Sequence, residues 1–96
     1  MLNNNQIQLI KNIVNPILPN SSYKVFIFGS RATGKNRQFS DVDLGILGSC
    51  ELDSDKISQI TDEFEDSDLP FRVNVVDFAK VSDKFKEQAL DKIISI

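Results

Sequence analysis

Two aspartates separated by one residue, Asp41 and Asp43, are the strongest chemical feature of this sequence. In a strand, positions i and i+2 share a face with Cα atoms about 6.5 Å apart, so the two carboxylates would emerge together. Carboxylates side by side repel each other and resist losing water. A divalent cation removes both objections, and Mg²⁺ is commonly held by one or two carboxylates together with the phosphates of a substrate. A bare Asp-x-Asp is also what the solvated face of an edge strand looks like. Gly29-Ser30 separates these readings, because it directly follows the apolar run from Tyr23 to Phe28. A glycine there lets the backbone approach a ligand, and the amides that follow, with the Ser30 hydroxyl, can donate to phosphate oxygens. Between Ser30 and Asp41 stand ten residues that include Arg31, Lys35 and Arg37 and no acid. A phosphate-binding turn, a cationic stretch and a metal-binding strand serve one ligand, a metal-bound polyphosphate.

Two rival motifs share these residues. Gly29, Gly34 and Lys35 satisfy Gly-x₄-Gly-Lys, but Asn36 stands where a P-loop places the Ser or Thr that binds Mg²⁺, and a strand rather than a long helix follows. An EF-hand starting at Asp41 would put Ile46 at the obligatory glycine and Leu52 at the bidentate acid. Both motifs fail.

The elements that must position these groups fit one domain, residues 1–96. A chain of 96 residues with 41% hydrophobic content can bury roughly 60 to 70% of its unfolded surface, enough for one core. Ile7, Ile10, Ile13 or Val14, and Ile17 recur at helical spacing, interrupted or kinked at Pro16, and Pro19 to Ser22 reads as a loop. Tyr23 to Phe28 reads as a strand, Ser30 to Ser40 as a short helical turn and loop, and Asp41 to Leu47 as a second strand. Ile57, Ile60 and Phe64 mark a helix capped near Asp53 or Ser54 that must end before Leu69-Pro70. Phe71 to Asp77 alternates as a third strand, with Phe71, Val73 and Val75 on one face and Arg72 and Asn74 on the other. Asp77 falls with the apolar set and reads as a strand-ending residue. Phe85, Ala89, Leu90, Ile93 and Ile94 form the stripe of a last helix capped by Ser82. The connection between the first two strands is too short for a helical crossover, so an α+β domain with a small mixed β-sheet flanked by helices is expected.

Composition removes several chemistries. There is no histidine and one cysteine, which excludes Cys/His zinc sites, Ser-His-Asp hydrolysis and Cys-His proteolysis. Cys50 reads as an inert, partly buried thiol. The net charge of −3 speaks against nucleic acid as a direct partner bound through a basic surface. No run of about 20 apolar residues is present, so no membrane span is expected. Met1 to Asn5 lacks the basic stretch and apolar core of a signal peptide, which makes the cytoplasm the expected compartment.

Gly29-Ser30, ten residues, then Asp41-Val42-Asp43 resembles the signature of nucleotidyltransferases related to DNA polymerase β. Phe28 to Ala32, Phe39 to Leu44 and Ser67 to Val73 are similar to the minimal bacterial and archaeal members of that family. The resemblance implies the polymerase-β-like nucleotidyltransferase fold. It further implies Asp41 and Asp43 as ligands of Mg²⁺ or Mn²⁺, and Gly29, Ser30, Arg31, Lys35 and Arg37 at the phosphates of ATP. The implied reaction is transfer of AMP to a hydroxyl, a tyrosine by resemblance, of a HEPN-domain toxin for which this chain would be the antitoxin.

The sequence departs from the family at one place. The third catalytic carboxylate of the family falls at Asn74, whose amide oxygen can ligate a cation but cannot take up a proton. Two expectations follow: an enzyme with a weakened nucleophile-activating site, or a nucleotide-binding module that neutralises its partner by complex formation.

Overall fold

The computed structural model describes residues 2–18, 22–29, 32 and 41–96. Helix α1 (Asn4–Val14) opens with a reciprocal cap: the Gln6 backbone N–H donates to the Asn3 side chain at 2.8 Å, and the Asn3 N–H donates to Gln6 Oε1 at 3.1 Å. Pro16 does not kink this helix; the helix stops ahead of it, and Ile17 still reaches the core from the turn that follows. Strand β1 (Lys24–Phe28), strand β2 (Val42–Leu47), helix α2 (Ser54–Glu65), strand β3 (Val73–Asp77) and helix α3 (Asp83–Ala89) follow the expected order. Asp53 is the N-cap of α2 without a side-chain hydrogen bond. Ser82 caps α3 by accepting from the Phe85 N–H at 3.2 Å. The loop read at Pro19 to Ser22 lies outside the described residues except for Ser22, as does most of the stretch from Ser30 to Ser40.

One element escaped the sequence reading. Helix α3 ends at Ala89, and Ile94, expected on its apolar stripe, instead begins a two-residue strand β4 (Ile94–Ser95) antiparallel to β1. The sheet order is β3-β2-β1-β4, with β1 and β2 antiparallel and β2 and β3 parallel, so the sheet is mixed as expected.

Strand alternation sorts the sheet into two unlike faces. Ile27, Val42, Leu44, Ile46 and Val73 pack with Ile10, Val14, Ile60 and Phe64 from α1 and α2, in an aliphatic core where Ile27, Val42, Leu44 and Ile46 are fully buried. Burial of each such side chain contributes roughly 1.5–3 kcal/mol. The other face carries Phe26 and Phe28, which meet Phe78 edge-on at ring separations of 4.9 and 5.1 Å. Gly45 is required there: a Cβ on it would stand 2.3 Å from the Phe26 ring and 2.8 Å from that of Phe78.

Asp77 ends β3 on the aliphatic face, as its place in the alternation implies. It is buried, with Oδ2 accepting from the Leu52 N–H at 2.8 Å and Oδ1 from the Ala79 N–H at 3.0 Å. Two backbone donors satisfy a carboxylate that burial would otherwise penalise. Cys50 corrects the sequence reading: it lies in the turn after β2 and is exposed rather than partly buried. Its carbonyl accepts from the Tyr23 hydroxyl at 3.0 Å. Burial, and then the neighbouring Cys50, Asp77 and Asp53, push the Tyr23 phenol above its ordinary value.

Candidate active site

Three strands contribute to one spot on the aromatic face. The antiparallel register sets Phe28 opposite Asp43, and the parallel register sets Asp43 opposite Asn74. Cross-strand partners share a face, so the C-terminal end of β1, the beginning of β2 and the beginning of β3 converge there. Asp43 is half-buried between its neighbours and Asn74 is exposed. The Asn74 amide donates from Nδ2 to Asp43 Oδ1 at 3.2 Å. The alternation that put Val42 and Leu44 into the core therefore turns Asp43 toward the site, and likewise Val73 inward leaves Asn74 beside it.

Gly29 closes the third side. Its φ of 73° lies in the left-handed region, which costs a residue with a Cβ roughly 1–2 kcal/mol. A Cβ there would stand 2.4 Å from Asp43 Oδ2, so the Asp43 carboxylate occupies space that only glycine leaves free. The Ala32 N–H donates to the Gly29 carbonyl at 3.1 Å. What the structure shows closely approaching the Gly29 backbone is the Asp43 carboxylate.

The remaining candidates divide by whether they are described. Asp41 is exposed and lies one residue before β2 begins; the neighbouring Val42 N–H donates to the Arg72 carbonyl at 2.8 Å and fixes the start of the pairing. Ser30, Arg31, Lys35 and Arg37 lie outside the described residues. Among the described residues, no group of three or more His, Cys, Asp or Glu comes together to hold a metal ion. The donors that the structure brings together here are the Asp43 carboxylate and the Asn74 amide, groups whose oxygens are of the kind a hard cation such as Mg²⁺ or Mn²⁺ takes.

A cleft of about 570 Å³ opens beside this spot, with Gly29 and Asp43 at one end. Its far wall comes from helix α3 and the residues after it, including Phe85, Gln88 and Lys92. Sequence reasoning missed this wall. Phe85 and Ala89 were legible as an apolar stripe, but the stripe does not tell that Phe85 remains 41% exposed along the rim of the site. Among the described residues no helix is long and apolar enough to cross a membrane.

Comparison with known proteins agrees with this geometry. Residues 10–96 match the family described as Polymerase beta, Nucleotidyltransferase. The chain is 37% identical over 82 residues to the "Probable protein adenylyltransferase MntA" of Haemophilus influenzae, covering 85% of this chain and 70% of that protein. Among solved structures, a toxin–antitoxin with AMP-PNP superposes with a TM-score of 0.74 at 21% identity, over 92% of this chain and 69% of that one. A complex of a tri-AMPylated Shewanella oneidensis HEPN toxin with its MNT antitoxin gives a TM-score of 0.64 at 20% identity, again over 92% and 69%. With Gly29, Asp43 and Asn74 brought together by the strand register, and with the family matched from α1 through β4, the chain belongs to the polymerase-β-type nucleotidyltransferases.

Proposed function

We propose that this chain is a metal-dependent protein adenylyltransferase of the cytoplasm that transfers AMP from ATP to a hydroxyl, a tyrosine in the first instance, of a HEPN-domain toxin, and so acts as its antitoxin. The observation that carries the proposal is the placement of Asp43 between Gly29 and Asn74 at the mouth of a cleft of nucleotide size. The similarity to an adenylyltransferase and to antitoxins bound to HEPN toxins supports the choice of reaction and partner.

In this reaction the acceptor oxygen forms a bond to the α-phosphorus of ATP. The bond from that phosphorus to the oxygen bridging to the β-phosphate breaks, pyrophosphate departs, and the hydroxyl proton is released. Asp41 and Asp43 would hold Mg²⁺ or Mn²⁺, which when bound neutralises phosphate charge and stabilises the entering and leaving oxygens. The chain's own part is to hold and orient. Gly29 leaves room for the phosphates and for Asp43 together. Ser30 and the amides beside it would donate to the phosphate oxygens, and Arg31, Lys35 and Arg37 would draw the anion in. Asn74 takes the place of the family's third carboxylate. It can orient Asp43 and offer an amide oxygen, but it cannot accept the acceptor's proton.

One observation favours a second reading, binding without turnover. The Asn74 amide donates to Asp43 Oδ1, a bond that competes with a cation for that oxygen. The deciding experiment is the intact mass of the HEPN-domain partner after coexpression with this chain. Added adenylyl mass on the partner supports the transferase, and Asp43→Ala should abolish it. An unmodified partner that is still bound and neutralised, with Asn74→Asp restoring no modification, would establish the binding module instead.

A further inference from the structure

The cleft beside Asp43 has a lining of mixed chemistry. Gly29 and Asp43 line it beside the apolar Phe28, Phe85 and Ala89, and Gln88, Asp91 and Lys92 add polar groups from the α3 side. A ligand that meets both kinds of lining joins a charged group to an apolar one. The size, about 570 Å³, lies inside the range of roughly 300–1,000 Å³ typical of small-molecule sites.

Phe85 dominates the apolar lining. Among the described residues it is the most exposed of the large hydrophobic ones, at 41%. A single exposed phenylalanine is unremarkable on an open surface. This one lines the same cleft as the phosphate turn, and it is held in place rather than loose. Its ring stands 6.1 Å from that of Phe28 at 87° and 5.9 Å from that of Phe78 at 50°, and its backbone N–H is fixed by the Ser82 cap. Phe28 immediately precedes Gly29, so Phe85 lies one ring beyond the residue that ends β1 at the site.

We propose that Phe85 is the stacking platform for the nucleobase of the bound nucleoside triphosphate, with the phosphates lying toward Gly29 and Asp43. The proposal rests on the nucleotide-binding reading given above and adds the residue that grips the base. Every base has a π-face, so stacking is tolerant of base identity and worth about 1–3 kcal/mol per base on alanine substitution. Two consequences follow. Base discrimination should be weak, and removal of the ring should weaken nucleotides about 5- to 150-fold without touching a ligand that has no base.

The test uses the intact chain with Mg²⁺ and three probes: ATP, GTP and inorganic tripolyphosphate. Phe85→Ala and Phe85→Leu should weaken both nucleotides by that factor and leave tripolyphosphate unchanged; the leucine variant keeps apolar bulk should the alanine variant fail to fold. Phe85→Trp should retain nucleotide affinity. Because the chain has no tryptophan, that variant also carries a unique fluorophore, whose emission should respond to ATP and GTP but not to tripolyphosphate. Nucleotide affinity equal to wild type in both ring-less variants, or an equal loss of tripolyphosphate in a folded variant, overturns the proposal. Wild-type protein that takes up neither ATP nor tripolyphosphate overturns the underlying nucleotide-binding reading, and the platform with it.

Discussion

The two faces of this sheet are built from alternate residues of the same strands, yet they do different work. The aliphatic face, covered by α1 and α2, is closed, with Val42, Leu44 and Ile46 at zero exposure. Among the described residues the aromatic face is covered only in part, by a seven-residue helix α3 with no fully buried residue, with Asn74 and Phe85 exposed. Stability concentrated on one face lets the other keep a glycine in a left-handed conformation, a half-buried carboxylate and an uncovered ring. Each of these costs something, and none is explained by packing.

Neighbouring residues of β2 give the sharpest way to break this division. Leu44→Ala, on the closed face, should cost about 2–5 kcal/mol as read by urea or thermal unfolding, a large part of the roughly 5–15 kcal/mol of a whole domain. Asp43→Ala, one residue away on the open face, should leave unfolding within about 0.5 kcal/mol while lowering adenylyl transfer at least about a hundredfold. Equal destabilisation by both substitutions would mean that the site face is structural after all. Gly29→Ala comes next. It should cost about 1–2 kcal/mol through its positive φ, and it should also impair nucleotide binding, because its methyl group displaces the Asp43 carboxylate. A variant stable as wild type and binding nucleotide normally would refute the steric coupling of the two residues.

The smallest expected effect belongs to Tyr23, at the rim of the closed face. Its folded-state pKa is raised above the ordinary value of 10.0, so the unfolded chain gives up the phenolic proton first. The corresponding stability is fully present below about pH 10 and is lost as pH rises through the folded value. Tyr23→Phe should remove that alkaline component from the pH dependence of unfolding. As the chain has one tyrosine and no tryptophan, its near-ultraviolet absorbance follows the titration directly; a phenol titrating at or below its ordinary value would contradict the structure.

Much of this architecture is legible because it follows from local periodicity. Alternation through Val42, Leu44 and Ile46 places Asp43 on the opposite face, and alternation through Val73 and Val75 places Asn74 beside it once the strands pair. Asp77 is legible as a strand end for the same reason, although nothing local reveals that the Leu52 and Ala79 amides would satisfy it. What escapes is non-local. Strand β4 has two residues, and Ile94 continues the helical spacing of Phe85 and Leu90, so only its pairing with Ile27 distinguishes strand from helix. The exposure of Phe85 escapes likewise, since an apolar stripe records which side of a helix faces the sheet and not how far the sheet extends beneath it.

Strand β4 is also the fastening of the cleft wall. Beyond α3, the chain is tied back to β1 by the Phe26↔Ser95 and Ile27↔Ile94 pairs and by the Ile96 N–H to the Val25 carbonyl at 3.3 Å. Ile94 and Ile96 pack against the aliphatic core while Ala89 and Leu90 pack against the phenylalanine cluster, so the segment that carries Phe85 is anchored to both faces of the sheet at once.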